Sequence, residues 1–202
     1  MTALLIVLVI LALLVGLGVG IYNKLVKSSN EYKQALAQID VQLKRRYDLI
    51  PNLVESARAY LAHESSTLEE VVKARDQASQ AREAAAAAPG PEALGRLTAA
   101  DGALTSMLGR LMMVVENYPD LKADGTVSQL MADLSNTENL VGGARSSYND
   151  AARRYNQTTQ VFPNVLLSGV MGFKETRLWT LADPAEGAAV RISLAPPPSG
   201  KP

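Results

Sequence analysis

The chain has 202 residues, with 20 Lys+Arg balanced by 20 Asp+Glu, one His and no Cys. That length allows one domain with an appendage, and zero formal charge argues against a nucleic-acid binder, which needs a basic face to displace counterions. The missing Cys excludes disulfides, thiol nucleophiles and thiolate metal sites, while 29 Ala and 28 Leu beside 5% aromatic residues is a helix former's composition.

Residues 3–21 (ALLIVLVILALLVGLGVGI) carry no charge. As a helix, residues 2–22 extend about 30 Å, enough to cross a bilayer. A cleaved signal peptide would have a basic start and a shorter apolar run, so the segment reads as an uncleaved anchor with the bilayer as its first partner. Lys24, Lys27 and Lys33 follow the span, which by the positive-inside rule puts the C-terminal part in the cytoplasm. Gly16 and Gly20 form a G-x-x-x-G pair, a candidate for close transmembrane helix packing or simply ordinary glycine usage in a span.

Three stretches of helical periodicity come next. In the first, Leu25, Tyr32, Leu36, Ile39, Leu43, Ile50, Leu53, Ala57 and Tyr60 advance in steps of three and four, with Ser29 and Arg46 as polar members of the stripe. This predicts one helix, or two in line, over residues 22–88. Pro51 predicts a kink or break, with Asp48 capping a restarted helix. Proline and glycine at 89–91 end the stretch. The second seam runs Leu94, Leu97, Asp101, Leu104, Leu108, Leu111, Val115 and Tyr118, with Asp101 its one polar intruder. After Pro119 and Gly125 the third runs from Val127 to Phe162 until Pro163 stops it. Short connections make such helices antiparallel neighbours.

The expected architecture is therefore all-α: an anchor at 1–22, an antiparallel three- to four-helix bundle at 23–180, and a flexible proline-rich tail at 181–202, with a short strand conceivable at 190–194. Residues 163–173 are apolar but too short to span. They fit a cap on the bundle, a segment at the bilayer interface or a partner site.

These residues carry a resemblance. Tyr22, Asn23, Leu25 and Val26, then IDVQLKRRYDLIPNLV at 39–54, resemble the signature of the LemA family. His63 and Glu64, Ala74 and Arg75, YPDLK at 118–122, and Glu138 and Asn139 continue the likeness. So do Tyr148 and Asn149, Tyr155 and Asn156, Phe162 and Pro163, and Gly172 and Phe173. The likeness covers about residues 22 to 180, departs from the pattern at 84–91, and leaves the tail after 184 outside. It implies a bacterial single-span membrane protein with a helical soluble domain and no established enzymatic activity.

The chemistry agrees with that implication. His63 and Glu64 begin like H-E-x-x-H, but the fifth position is Thr67 and no second His exists. One His also cannot supply the paired Glu-x-x-His motifs of di-metal bundles, so no catalytic residue, metal or cofactor is expected. Glu64, Asp101, Glu116 and Glu138 suit buried, register-setting ion pairs. Ten basic and nine acidic residues at 22–91, against six and eight at 92–160, suit salt bridges between helices. Asn23, Asn52, Asn139, Asn149 and Asn156, which accompany Tyr22, Tyr148 and Tyr155, read either as a polar recognition ladder or as register-fixing bonds between helices.

The function expected is a non-enzymatic scaffold at the inner-membrane surface that binds itself or an unidentified protein partner. Arg45, Arg46, Tyr47, Asp48, Pro51 and Asn52 form its candidate docking patch. An accessory regulator of a membrane or stress-response protease, and a ligand- or metal-binding bundle, are the alternatives.

Overall fold

The computed structural model describes residues 1–180; the expected tail and the strand considered at 190–194 lie outside the described residues. In chain order the elements are α1 (Thr2–Arg58), a 3-10 turn (Ala62–Glu64), α2 (Ser65–Ala87), α3 (Pro91–Glu116), α4 (Pro119–Ala123), α5 (Gly125–Gln160) and α6 (Asn164–Ser168). Among the described residues there is no strand, and the fold is all-α.

Cross-helix pairs give the topology. Tyr47 and Asp40 of α1 meet Arg75 and Arg82 of α2, so α2 descends as α1 rises. Glu70 of α2 meets Arg110 of α3. Tyr32 and Arg46 of α1 meet Tyr155 and Glu138 of α5. The upper part of α1 with α2, α3 and α5 is thus an up-down-up-down four-helix bundle.

The apolar seams make its core. Ile39, Leu43, Ile50, Leu53 and Ala57 of α1 pack with Leu97, Leu104, Leu111 and Val115 of α3 and with Val127, Leu134 and Val141 of α5. Full burial of each large aliphatic chain contributes about 1.5–3 kcal/mol. Residues 2–17 of α1 are exposed throughout, and the apolar run they belong to is long enough to cross a membrane.

The helix boundaries follow local chemistry. Pro91 opens α3 where its missing N–H costs no helical bond. The Asp124 carboxylate caps α5, accepting from the amides of Thr126 (2.9 Å) and Val127 (3.0 Å). The Val127 amide and then the Tyr60 hydroxyl hold that carboxyl below its ordinary range. The Tyr60 bond also ties the end of α1 to the start of α5.

The break expected at Pro51 is corrected. Helix α1 runs unbroken through Pro51 to Arg58, and Asp48 pairs with Lys44 at 2.8 Å instead of capping a new helix. A proline at 51 leaves the carbonyl of residue 47 without its helical N–H. Arg75 Nε donates to that carbonyl across the bundle, at 3.1 Å. The chain turns at residues 59–64, where Leu61 leaves helical geometry and is fully buried over the end of the core. Neither Gly nor Pro marks this turn, and after it α2 folds back on α1 instead of continuing in line.

Arg75→Ala should therefore cost about 1–2 kcal/mol, the value of a bond whose loss leaves a half-buried acceptor unmet. Pro51→Ala alongside it should recover the loss, because the substituted residue brings an N–H to the Tyr47 carbonyl. Urea titrations of the two single variants and the double variant check this, and strictly additive effects would contradict it.

Candidate functional site

The two polar intruders in the apolar seams meet. Arg46 of α1 and Asp101 of α3 have side chains only 3% and 1% exposed, and Arg46 Nη1 donates to Asp101 Oδ1 at 3.2 Å. The Tyr47 hydroxyl donates to the same oxygen at 3.0 Å. Arg145 of α5 donates to Asp101 Oδ2. Arg46 Nη2 donates to Thr105 (3.0 Å) and lies 2.7 Å from Glu138 Oε2, an ion pair without a well-directed hydrogen bond.

Two arginines and two carboxylates thus neutralise one another at the junction of α1, α3 and α5. Burial, and then the charge of Asp101 and the bond to it, push the Tyr47 phenol well above its ordinary value. Most of the cluster's charged groups face another member, whereas Arg145 Nε and Glu138 Oε2 make no hydrogen bond. Such an arrangement suits a register-setting role among the three helices.

The structure divides the candidate docking patch. Arg46 and Tyr47 face the core, whereas Arg45, Asp48, Pro51 and Asn52 are exposed. Arg46 and Tyr47 are therefore corrected as surface residues: one and two residues on from Arg45, the helix turns them about 100° and 200° away from it, toward α3. Gly16 and Gly20 lie far below the patch, Gly20 by 25 residues of helix or about 38 Å. A Cβ at either glycine would meet nothing within 4 Å. Among the expected buried acids, Asp101 is buried and Glu138 half-buried, Glu64 is half-buried without an ion pair among the described residues, and Glu116 is exposed and paired with Lys122. Sequence reasoning missed Arg145. The available signal was the pair of opposite charges on two apolar seams, which needs a third helix to close its shell.

Two of the tyrosine–asparagine pairs, Tyr148–Asn149 and Tyr155–Asn156, hold the chain's own residues 174–179. Asn149 Nδ2 donates to the Trp179 carbonyl (2.9 Å) while its Oδ1 accepts from the Trp179 amide (2.8 Å). Asn156 grips Thr176 in the same way, at 2.8 and 2.9 Å. Seven helical residues rise about 10 Å, which three extended residues also span, so Thr176 and Trp179 match the two asparagines in register. The hydroxyls of Tyr148 and Tyr155 donate to the carbonyls of Arg177 (2.6 Å) and Lys174 (2.9 Å). Burial raises both phenols above their ordinary value. Trp179 lies under the Arg145 guanidinium, 5.1 Å from its ring centre, which joins the segment to the buried charge cluster.

A cleft of about 760 Å³ opens beside this segment, between the lower bundle part of α1, the α2–α3 turn and residues 171–177. Ser29, Tyr32 and Leu36 form one wall, and the Arg82–Asp40 ion pair (2.9 Å) lies along another. Among the described residues no three His, Cys, Asp or Glu side chains come close enough to hold a metal ion.

The chain is 28% identical over 169 residues to Magnetosome protein MamQ 2 of Paramagnetospirillum magneticum, covering 76% of this chain and 62% of the relative. Magnetosome protein MamQ of Magnetospirillum gryphiswaldense is 26% identical with the same coverage. Protein LemA of Metamycoplasma hominis is 26% identical over 144 residues, 71% of this chain and 62% of that protein. The chain thus spans about three-fifths of the length of these curated relatives. A sequence model of the LemA family matches residues 35–194, starting later than the likeness drawn from the motifs and running into the part of the tail placed outside it. With that match over most of its length and the signature residues at the centre of the bundle, the chain belongs to the LemA family.

Proposed function

We propose that this chain is a membrane-anchored, non-enzymatic scaffold that works by self-association or partner binding at the membrane surface. The observation that carries the reading is α1, one unbroken helix from Thr2 to Arg58 that is membrane span at one end and bundle core at the other. The bundle is then held at a set height and orientation above the bilayer, which suits a platform. The charges at the bundle centre pair with each other and serve architecture. Membership of a membrane-associated family supports the location. Lys24, Lys27 and Lys33 after the span favour the inner membrane with the bundle in the cytoplasm. The exposed face of Arg45, Asp48, Pro51 and Asn52 is the docking surface in this reading.

Crosslinking of the full chain in its native membrane, read by mass spectrometry, tests it. Crosslinks from that face to a second copy or to one recurring protein are expected. Arg45→Glu with Asp48→Lys should remove them without changing the melting of the bundle. A strict monomer with no crosslinked neighbour overturns the reading. A ligand-binding bundle is the second reading, favoured by the 760 Å³ cleft, and ligand-induced shifts in thermal melting would support it.

A further inference from the structure

The segment after α5 has its polarity inside out. In α6 the buried residues are Asn164 and Ser168, and they cap the free carbonyls at the end of α5. Asn164 Nδ2 donates to the Thr158 carbonyl (2.9 Å) and Ser168 Oγ to the Thr159 carbonyl (3.1 Å). The apolar residues point outward: Phe162, Leu166 and Val170 are 79%, 64% and 88% exposed, with Val161 and Val165 beside them. A short element in water would reverse this arrangement, since exposed contiguous apolar surface is unfavourable there.

Its position identifies what covers it. Helix α5 descends along α1, so α6 arrives where the span emerges. Asn164 lines a shallow cleft together with Gly16, Leu17, Gly20 and Lys24 of α1. The Phe173 ring meets Tyr22 edge-on, with centroids 5.9 Å apart. Gly16 and Gly20 belong to the uncharged run, so α6 lies level with the last turns of the span. An aromatic pair and Lys24 at this height match the belt found at the edge of a bilayer.

The geometry points to residues 161–170 as a second membrane contact, an interfacial wedge whose Phe162, Leu166 and Val170 enter the headgroup–hydrocarbon boundary of the leaflet from which the span exits. The apolar surface is continuous with that of the span, so the occupant is lipid. Two contacts, span and wedge, fix the rotation of the bundle about α1 as well as its height. The exposed residues 45, 48 and 52 then face one constant direction along the membrane.

The chain contains no Cys, so single labelling sites can be placed at will. Full-length Phe162→Cys, Leu166→Cys and Val170→Cys variants, with Glu69→Cys on the exposed face of α2 as the aqueous control, are each labelled with an environment-sensitive fluorophore. They are reconstituted in phosphatidylcholine–phosphatidylglycerol vesicles, and circular dichroism verifies the helical content of each. Nitroxide-bearing lipids should quench the three wedge labels several-fold more than the control, and aqueous iodide should quench them several-fold less. Iodide quenching of the wedge labels equal to the control overturns the inference. So does shielding from both quenchers that disappears when the protein is diluted with empty lipid, the result a second copy on this surface would produce.

Discussion

Asp101→Ala should destabilise the bundle by about 3–5 kcal/mol, the cost of breaking a buried ion pair by removing one partner. The substitution leaves Arg46 and Arg145 without the carboxylate between them and the Tyr47 hydroxyl without an acceptor. Asp101→Asn keeps an acceptor for Tyr47 but not the charge, and should fall between Asp101→Ala and the native chain. The combined variant Arg46→Met, Tyr47→Phe and Asp101→Leu should return to near the native stability or exceed it, because well-packed apolar groups often replace a buried ion cluster at no net loss. Arg145 and Glu138 retain 17% and 38% side-chain exposure, so each can turn to water once the cluster is gone. Urea unfolding of the full chain in mild detergent, followed by circular dichroism, measures all three. A loss below about 1 kcal/mol for Asp101→Ala, the level of an exposed pair, would show that the cluster does not organise the bundle.

The same cluster sets an alkaline limit. The folded state keeps the Tyr47 phenol neutral beyond its ordinary value. The stabilisation from this group is therefore complete below about pH 10, the ordinary tyrosine value, and declines above it as the unfolded chain ionises first.

Asn149→Ala and Asn156→Ala together should release residues 174–180 while leaving the four-helix core folded. Each asparagine closes a donor–acceptor pair on one backbone residue. Losing both bonds of one asparagine should cost about 2 kcal/mol, roughly a 30-fold rise in local opening. Hydrogen exchange at the Thr176 and Trp179 amides reads this directly. Trp179 is the single tryptophan and only 5% exposed, so its emission should also shift to the red. Asn149→Asp is the sharper test, since a carboxylate keeps the acceptor for the Trp179 amide but repels the Trp179 carbonyl. Unchanged exchange at both amides in the double alanine variant would mean that the segment is held by Trp179 packing and the tyrosine hydroxyls alone.

The helices were legible wherever a side chain's role depends on its own helix. The uncharged run at 3–21, the three-four steps of the seams and the prolines at 91 and 163 each state a local requirement that burial, period or a missing N–H imposes. All-α architecture, the membrane span and the bundle follow from these alone. Pro51 misled because its usual effect is also local, whereas its remedy comes from Arg75, on a helix that the linear order does not place opposite Tyr47. The turn at Leu61 was hidden for a related reason: it is set by the burial of one leucine over the core, without a residue that signals a turn.

By itself, then, the sequence determined most of the helical stretches, though not the turn at 59–64, which face of each is apolar and that Arg46 and Asp101 stand out on those faces. Tertiary structure alone decided that these two charges meet, that Arg145 and Tyr47 complete their shell, and that the Tyr–Asn pairs clasp residues 174–179. It also turned the apolar side of α6 outward at the foot of the span. The physical reason is that periodicity reports one element's orientation to an average environment. Hydrogen bonds and ion pairs need two groups within about 3 Å, and only the packed arrangement of several elements sets that distance.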